Sequence, residues 1–193
     1  SGLDVLCHGL ESYTALPFNK RIKGNNPGER PSYQGSNPIS DVWSLTAIKM
    51  VAQNIVEAVN NPYNFTARSQ MLLAATFAGV GFGNAGVHLC HGLSYAISGN
   101  VKTFFLDDYP EKSPLIPHGL SVAICAPAIF NFTAKSNFRR HIEITEALGY
   151  ENVNEENVDM ILPKAIKTIM SDIGMPTKLS DLGYVEKDID KLE

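Results

Sequence analysis

Cysteine is scarce. Cys7, Cys90 and Cys125 are the only three in 193 residues, odd in number and widely spaced. They do not make the disulfide framework of a small secreted domain and read as reduced core thiols of an intracellular protein. Charge is also sparse: 19% of residues are Asp, Glu, Lys or Arg, with 16 basic against 20 acidic and a net charge of −4. That balance lacks the basic excess of a nucleic-acid binder, and with 44% hydrophobic residues the chain is no disordered tail. A long unbroken apolar run is missing too. The longest candidate, Met71 to Val87, is interrupted by Gly79, Gly81, Gly83, Asn84 and Gly86, whereas a spanning helix needs about 20 continuous apolar residues; no membrane association is expected. No stretch alternates apolar and polar residues long enough for a sheet, and repeats and low-complexity tracts are absent. Length allows one domain, or the larger part of two. The start at Ser-Gly, without Met, reads as an excised or processed chain, compatible with a leader already removed.

What is present is helical periodicity, and the expected fold class is all-α. Leu3, Leu6, Cys7 and Leu10 recur at i, i+3, i+4, i+7 and predict an amphipathic helix over Leu3 to Tyr13. From Pro17 to Pro38 four prolines, three glycines and Lys20, Arg21, Lys23 and Arg30 predict a long irregular loop, a length that is usually functional or disordered. Ser40 is the expected cap of a helix from Asp41, stopped at Asn60-Asn61-Pro62. A second long helix follows from about Ala67; Met71 to Gly79 is apolar on every side, which predicts a central, buried helix. Gly79, Gly81 and Gly83 leave room for close backbone approach. Further helices are expected at His88 to Ile97, Leu120 to Ile129, Asn137 to Leu148 and Val158 to Ile173, the last kinked by Pro163. Asn64-Phe-Thr66 and Asn131-Phe-Thr133 match a glycosylation acceptor by chance.

Gly81-Phe-Gly83-Asn-Ala-Gly86 spells G-x-G-x-x-G, with Asp107 and Asp108 about 20 residues on, where a dinucleotide fold places its ribose-binding acid. The motif needs a β-strand before it. Here Ala, Met and Leu precede it, which are helix formers, so the dinucleotide reading is the weaker one.

Asp4 and His8 share a helix face at the edge of an apolar stripe, where a carboxylate and an imidazole could hold a partly buried metal. Taken alone, such a pair is ordinary. His88, His91 and Tyr95 form a second one-face series, in which one histidine is expected to be structural, and spacing alone leaves open which. His118, in Pro-His-Gly, stands on a turn opening a helix. An N/N/N/O donor set suits Fe(II) or Zn(II). Asp41, Glu11 and Glu57 have ordinary helix-surface explanations.

These residues fall into ordered motifs. Asp4-Val-Leu-Cys-His8-Gly-Leu-Glu-Ser-Tyr13 is similar to the D-x-x-x-H-x-x-E-x-Y pattern of the iron-containing alcohol dehydrogenases. Asn37-Pro38 with Asp41, Asn84-Ala-Gly86 with His91-Gly92, and Pro117-His118-Gly119 resemble the same family in the same order. Within it, the loop Leu16 to Gly35 and the segment Tyr33 to Trp43 look like the hydroxyacid-oxoacid transhydrogenase branch. The resemblance covers essentially the whole chain, as that family's C-terminal helical domain. It implies Asp4, His8, His91 and His118 as metal ligands, deciding for His91 over His88, and Tyr95 where many relatives carry a second histidine. It implies Fe(II), with Zn(II) possible, and NAD bound mainly by an N-terminal nucleotide-binding domain that residues 1–193 lack, so that these residues alone should not turn over. The implied reaction passes hydride from 4-hydroxybutyrate to 2-oxoglutarate through a bound nicotinamide, in mitochondria, and a homodimer is compatible with it. Arg21 and Arg30 are candidates to read a substrate carboxylate. The competing readings are an NAD-dependent alcohol dehydrogenase that releases NADH, and a non-catalytic helical module.

Overall fold

A computed structural model describes residues 1–106, 109 and 113–192. Among the described residues there are eight α-helices: α1 (Gly2–Thr14), α2 (Pro38–Asn60), α3 (Phe65–Ala85), α4 (Leu89–Gly99), α5 (His118–Ala123), α6 (Ala126–Thr133), α7 (Phe138–Ala147) and α8 (Val158–Asp172). No strand occurs among the described residues, as the absence of alternation predicts. Asp107 and Asp108 lie outside the described residues. The glycine motif they belonged to runs along the last turns of α3, with no strand before it.

The central helix is α1, not α3. Leu3, Leu6, Cys7, Leu10 and Tyr13 are buried on one side, and Glu11 and Ser12 are buried on the other, because α2, α3, α5 and α7 pack around it. The expectation of an all-round buried α3 is wrong. Only its small residues Ala67, Ala74, Ala78, Gly81 and Ala85 are buried, whereas Leu72 is 73% exposed and Leu73 and Val80 also face outward. The close helix–helix seam selects residues that let backbones approach; Leu72, Leu73 and Val80 are left on the far face, while Met71 and Phe77 pack at the edge of the core.

Other boundaries shift for local reasons. Asn37, not Ser40, caps α2: its Oδ1 accepts the N–H of Ile39 and of Ser40, and Pro38 follows at the first helical position, where a missing N–H costs nothing. The single helix expected over Leu120 to Ile129 is two, α5 and α6, divided at Ile124–Cys125 just ahead of Pro127. Between α3 and α4 the axis turns by 105°. Gly86 makes that turn with φ +89°, and a Cβ there would lie 2.7 Å from the Tyr33 Cβ, so only glycine fits. The loop before α2 is pinned across the end of α3: Gln34 N–H donates to Asn84 O at 2.7 Å, and Gly35 N–H to Ala85 O at 3.1 Å. Among the described residues no single helix is long and apolar enough to cross a membrane.

Candidate metal centre

Three helices bring polar groups to one place against the apolar core. α1 carries Asp4, His8 and Glu11 at i, i+4 and i+7 on one face. α4 starts beside it with His91 in its first turn, and α5 begins at His118 after Pro117. The donor atoms of Asp4, His91 and His118 all lie within 4.8 Å of one another. His91 Nε2 stands 3.3 Å from Asp4 Oδ1, and His118 Nε2 stands 3.6 Å from the same oxygen. His8 flanks this group: its Nε2 is 3.9 Å from Asp4 Oδ1, and its ring lies between Phe82 and His91, stacked at centroid distances of 4.0 and 4.6 Å.

Two of these atoms, Asp4 Oδ1 and His91 Nε2, are buried and have no hydrogen-bond partner. Their 3.3 Å separation is not aligned as a hydrogen bond. Buried polar atoms left unsatisfied are costly, and a pair converging on one point with a second imidazole beside it is what a cation between them would satisfy. An O/N/N group extended by a flanking N is the donor chemistry of Fe(II) or Zn(II). The residues therefore fit a divalent transition metal. The group is open on one side, since the His118 side chain is 52% exposed against 8% for His91.

Electrostatics follow from burial and proximity. Burial disfavours the charged form of His91, but the adjacent carboxylates of Asp4 and Glu11, the latter bonded to its Nδ1, outweigh it and push its pKa up to about 9. Burial raises the Asp4 carboxyl, and the surrounding His91, His8 and His118 more than reverse this, so its pKa falls below the ordinary value. His8 is shifted down, chiefly by burial.

Glu11 is a correction to the surface reading. It has no solvent exposure, and its Oε1 accepts the N–H of His88 and of Cys90, each at 2.8 Å, while its Oε2 accepts from His91 Nδ1. The signal was present in the sequence as the third member of the Asp4/His8 face. Asp41 is likewise more than a surface residue: it takes both ends of the Arg140 guanidinium, at 2.9 and 2.7 Å, and Arg140 also donates to Tyr13 O. Glu57 is the surface residue it was expected to be, bonded to Asn61 and Asn64. Phe82, the platform under His8, carried no chemical signal in the sequence. His88 turns away from the group. Thr14 donates to Leu10 O at 2.7 Å, so its oxygen is free to accept from His88 Nε2 at 3.0 Å. Tyr95 is exposed.

Arg21 and Arg30 line a separate cavity of about 410 Å³ with Lys23, Phe18 and Gln34. Arg30 is exposed; Arg21 is partly buried beside Gly35, with its Nε unpartnered.

Residues 31–193 match the family model of the Fe-containing alcohol dehydrogenase family, C-terminal. The chain belongs to the iron-containing alcohol dehydrogenase family, and its all-helical fold is that family's C-terminal domain. It is 49% identical over its whole length to a rat protein named hydroxyacid-oxoacid transhydrogenase, mitochondrial, and 48% identical to the human protein of that name; it spans 42% of each. A Dictyostelium discoideum protein named as a probable member of the same kind is 50% identical, and 36% of it is covered. Among solved structures, all of the chain superposes on 43% of a 1,3-propanediol oxidoreductase with TM-score 0.79 and 25% identity. The alcohol dehydrogenase of Oenococcus oeni gives 0.78 at 23% identity, again over 43% of its chain. The chain thus spans less than half the length of the relatives it matches.

Proposed function

We propose that residues 1–193 are the metal-binding, catalytic domain of a hydroxyacid-oxoacid transhydrogenase, with Asp4, His8, His91 and His118 as the metal ligands. The observation that carries this reading is the convergence of the buried, unpartnered Asp4 Oδ1 and His91 Nε2 beside His118. The names of relatives about half identical over the whole chain support the substrate class and a mitochondrial location. Fe(II) is the metal favoured by the family, with Zn(II) the alternative the donor set equally accepts.

In this reading a metal held by Asp4, His8, His91 and His118 would supply the Lewis acidity that makes a hydroxyl more acidic, and a nicotinamide, held mainly by an N-terminal nucleotide-binding domain, would supply the hydride carrier. The chain's own residues do the positioning. Asp4 brings negative charge, His91 is held by Glu11, and His8 is clamped between Phe82 and His91. The exposed side of His118 leaves the approach for a small hydroxy acid, and the buried helix α1 closes the opposite side to water. Arg21 and Arg30 are proposed to bind a substrate carboxylate.

The test is anaerobic incubation of the full-length enzyme with 4-hydroxybutyrate and 2-oxoglutarate and no added NAD. Succinate semialdehyde and 2-hydroxyglutarate should form in equal amounts. Turnover only with free NAD, with NADH accumulating, makes it an ordinary alcohol dehydrogenase; no turnover and no metal makes it a non-catalytic module.

A further inference from the structure

We infer that Glu11 is the positioning residue of this centre, and that it sets both the tautomer and the aim of His91; the inference rests on reading the Asp4–His91–His118 group as a metal site. Glu11 lies on α1, in sequence far from α4, yet its carboxylate closes on the start of that helix from within the core. One oxygen, Oε1, accepts the N–H of His88 and Cys90 at 2.8 Å and of His91 at 3.4 Å, which are backbone donors that the first turn of a helix leaves without intrahelical partners. The other oxygen, Oε2, takes the Nδ1 side of His91. An ionised carboxylate only accepts hydrogen bonds, so His91 Nδ1 must carry a proton. Nε2 is then the nitrogen left to face Asp4 Oδ1 and His118. The same carboxylate therefore fixes where α4 begins, which way the ring points and which nitrogen is available for a metal.

A cap alone would need only the first oxygen. Glutamine separates the two roles. Glu11→Gln keeps the shape and one acceptor oxygen, which can stay on the three N–H groups of α4. Its amide nitrogen then donates to His91 Nδ1, which forces the remaining ring proton onto Nε2, the nitrogen that faces Asp4. If the amide turns round instead, its NH₂ opposes the N–H groups of α4 and the cap is lost.

The experiment titrates Zn(II) against a competing chelator into the metal-free full-length protein, wild type and Glu11→Gln, with far-ultraviolet circular dichroism confirming that both are helical. The expected result is binding by wild type and a dissociation constant raised about 10- to 100-fold in the variant, the range seen when a partner of a ligating histidine is removed. A folded variant that binds Zn(II) as tightly as wild type overturns the inference while leaving the metal site standing. A wild type that binds no Zn(II) overturns the metal-site reading itself. If the variant does not fold, ¹⁵N spectra of the Zn(II)-loaded wild type decide. A protonated Nδ1 and metal-bound Nε2 on His91 support the role, and the opposite assignment removes it.

Discussion

His91 and His88 show how much a single residue's fate depends on neighbours remote in sequence. Three residues apart at the start of α4, they are equivalent by spacing, and only the ordered family motifs favour His91. The fold separates them through α1: Thr14 takes His88 away from the group and Glu11 takes hold of His91. That choice is not legible locally, because both partners lie more than 70 residues upstream. Another histidine has a purely structural role with a measurable consequence. His141 is buried, donating from Nδ1 to Asn137 O at 2.9 Å and accepting the Thr133 hydroxyl at Nε2, 2.9 Å away. Burial lowers its pKa below the ordinary 6.5. The unfolded chain therefore takes up the proton first, so this contribution to stability is complete above about pH 6.5 and is lost as pH falls through that value toward the folded pKa. A histidine NMR titration should place the His141 midpoint below 6.5; a midpoint at or above it contradicts the assignment. For Arg21 and Arg30, replacement of both by Ala in the full-length enzyme should raise KM for 2-oxoglutarate about tenfold or more, the scale of a lost charge-assisted hydrogen bond. Unchanged KM in steady-state assays would sink the carboxylate role.

At the scale of elements, composition identified where helices lie better than which face each buries. α3 reads as buried all round because Met, Leu, Val and Phe surround its axis, yet its seam is made of alanines and one glycine. At Gly81 a Cβ would meet Ser44 Oγ at 2.4 Å and Ser44 N at 3.2 Å, while at Gly79 nothing lies within 4 Å. The three glycines expected to allow close approach are thus of two kinds. Gly81→Ala should destabilise by roughly 1–3 kcal/mol through overpacking. Gly79→Ala should stabilise by roughly 0.5–1 kcal/mol through helix propensity. Urea denaturation of the two variants measures this pair, and equal effects would contradict the packing. Pro163 illustrates compensation of another sort. It sits inside α8, where its missing N–H leaves the Asp159 carbonyl without its usual donor, and the Asn131 side chain on α6 supplies one at 2.7 Å. The sequence marks the proline; the asparagine that answers it can be found only in the fold.

Taken together, residues 1–193 are a helical domain organised around α1, which contributes a core stripe to one side and Asp4, His8 and Glu11 to the other. The all-α class was legible throughout, because 3.6-residue periodicity is repeated in nearly every segment and no alternation competes with it. The candidate centre was only partly legible, since it is assembled from three helices, and Glu11 and Phe82 became meaningful once those helices met. The proposed ligand set, Asp4, His8, His91 and His118, would hold one divalent metal. A ligand that binds only the folded state also stabilises it, by about 2.7 kcal/mol at a hundredfold excess over its dissociation constant. Metal content is the more direct measure: elemental mass spectrometry of the full-length protein, purified without oxygen and without a histidine tag, beside its His118→Ala variant. About one Fe or Zn per wild-type chain is expected, the stoichiometry of a single such site, with its loss in the variant. A folded wild type that holds no metal even after Fe(II) or Zn(II) is supplied, or a variant that retains it in full, would contradict the claim.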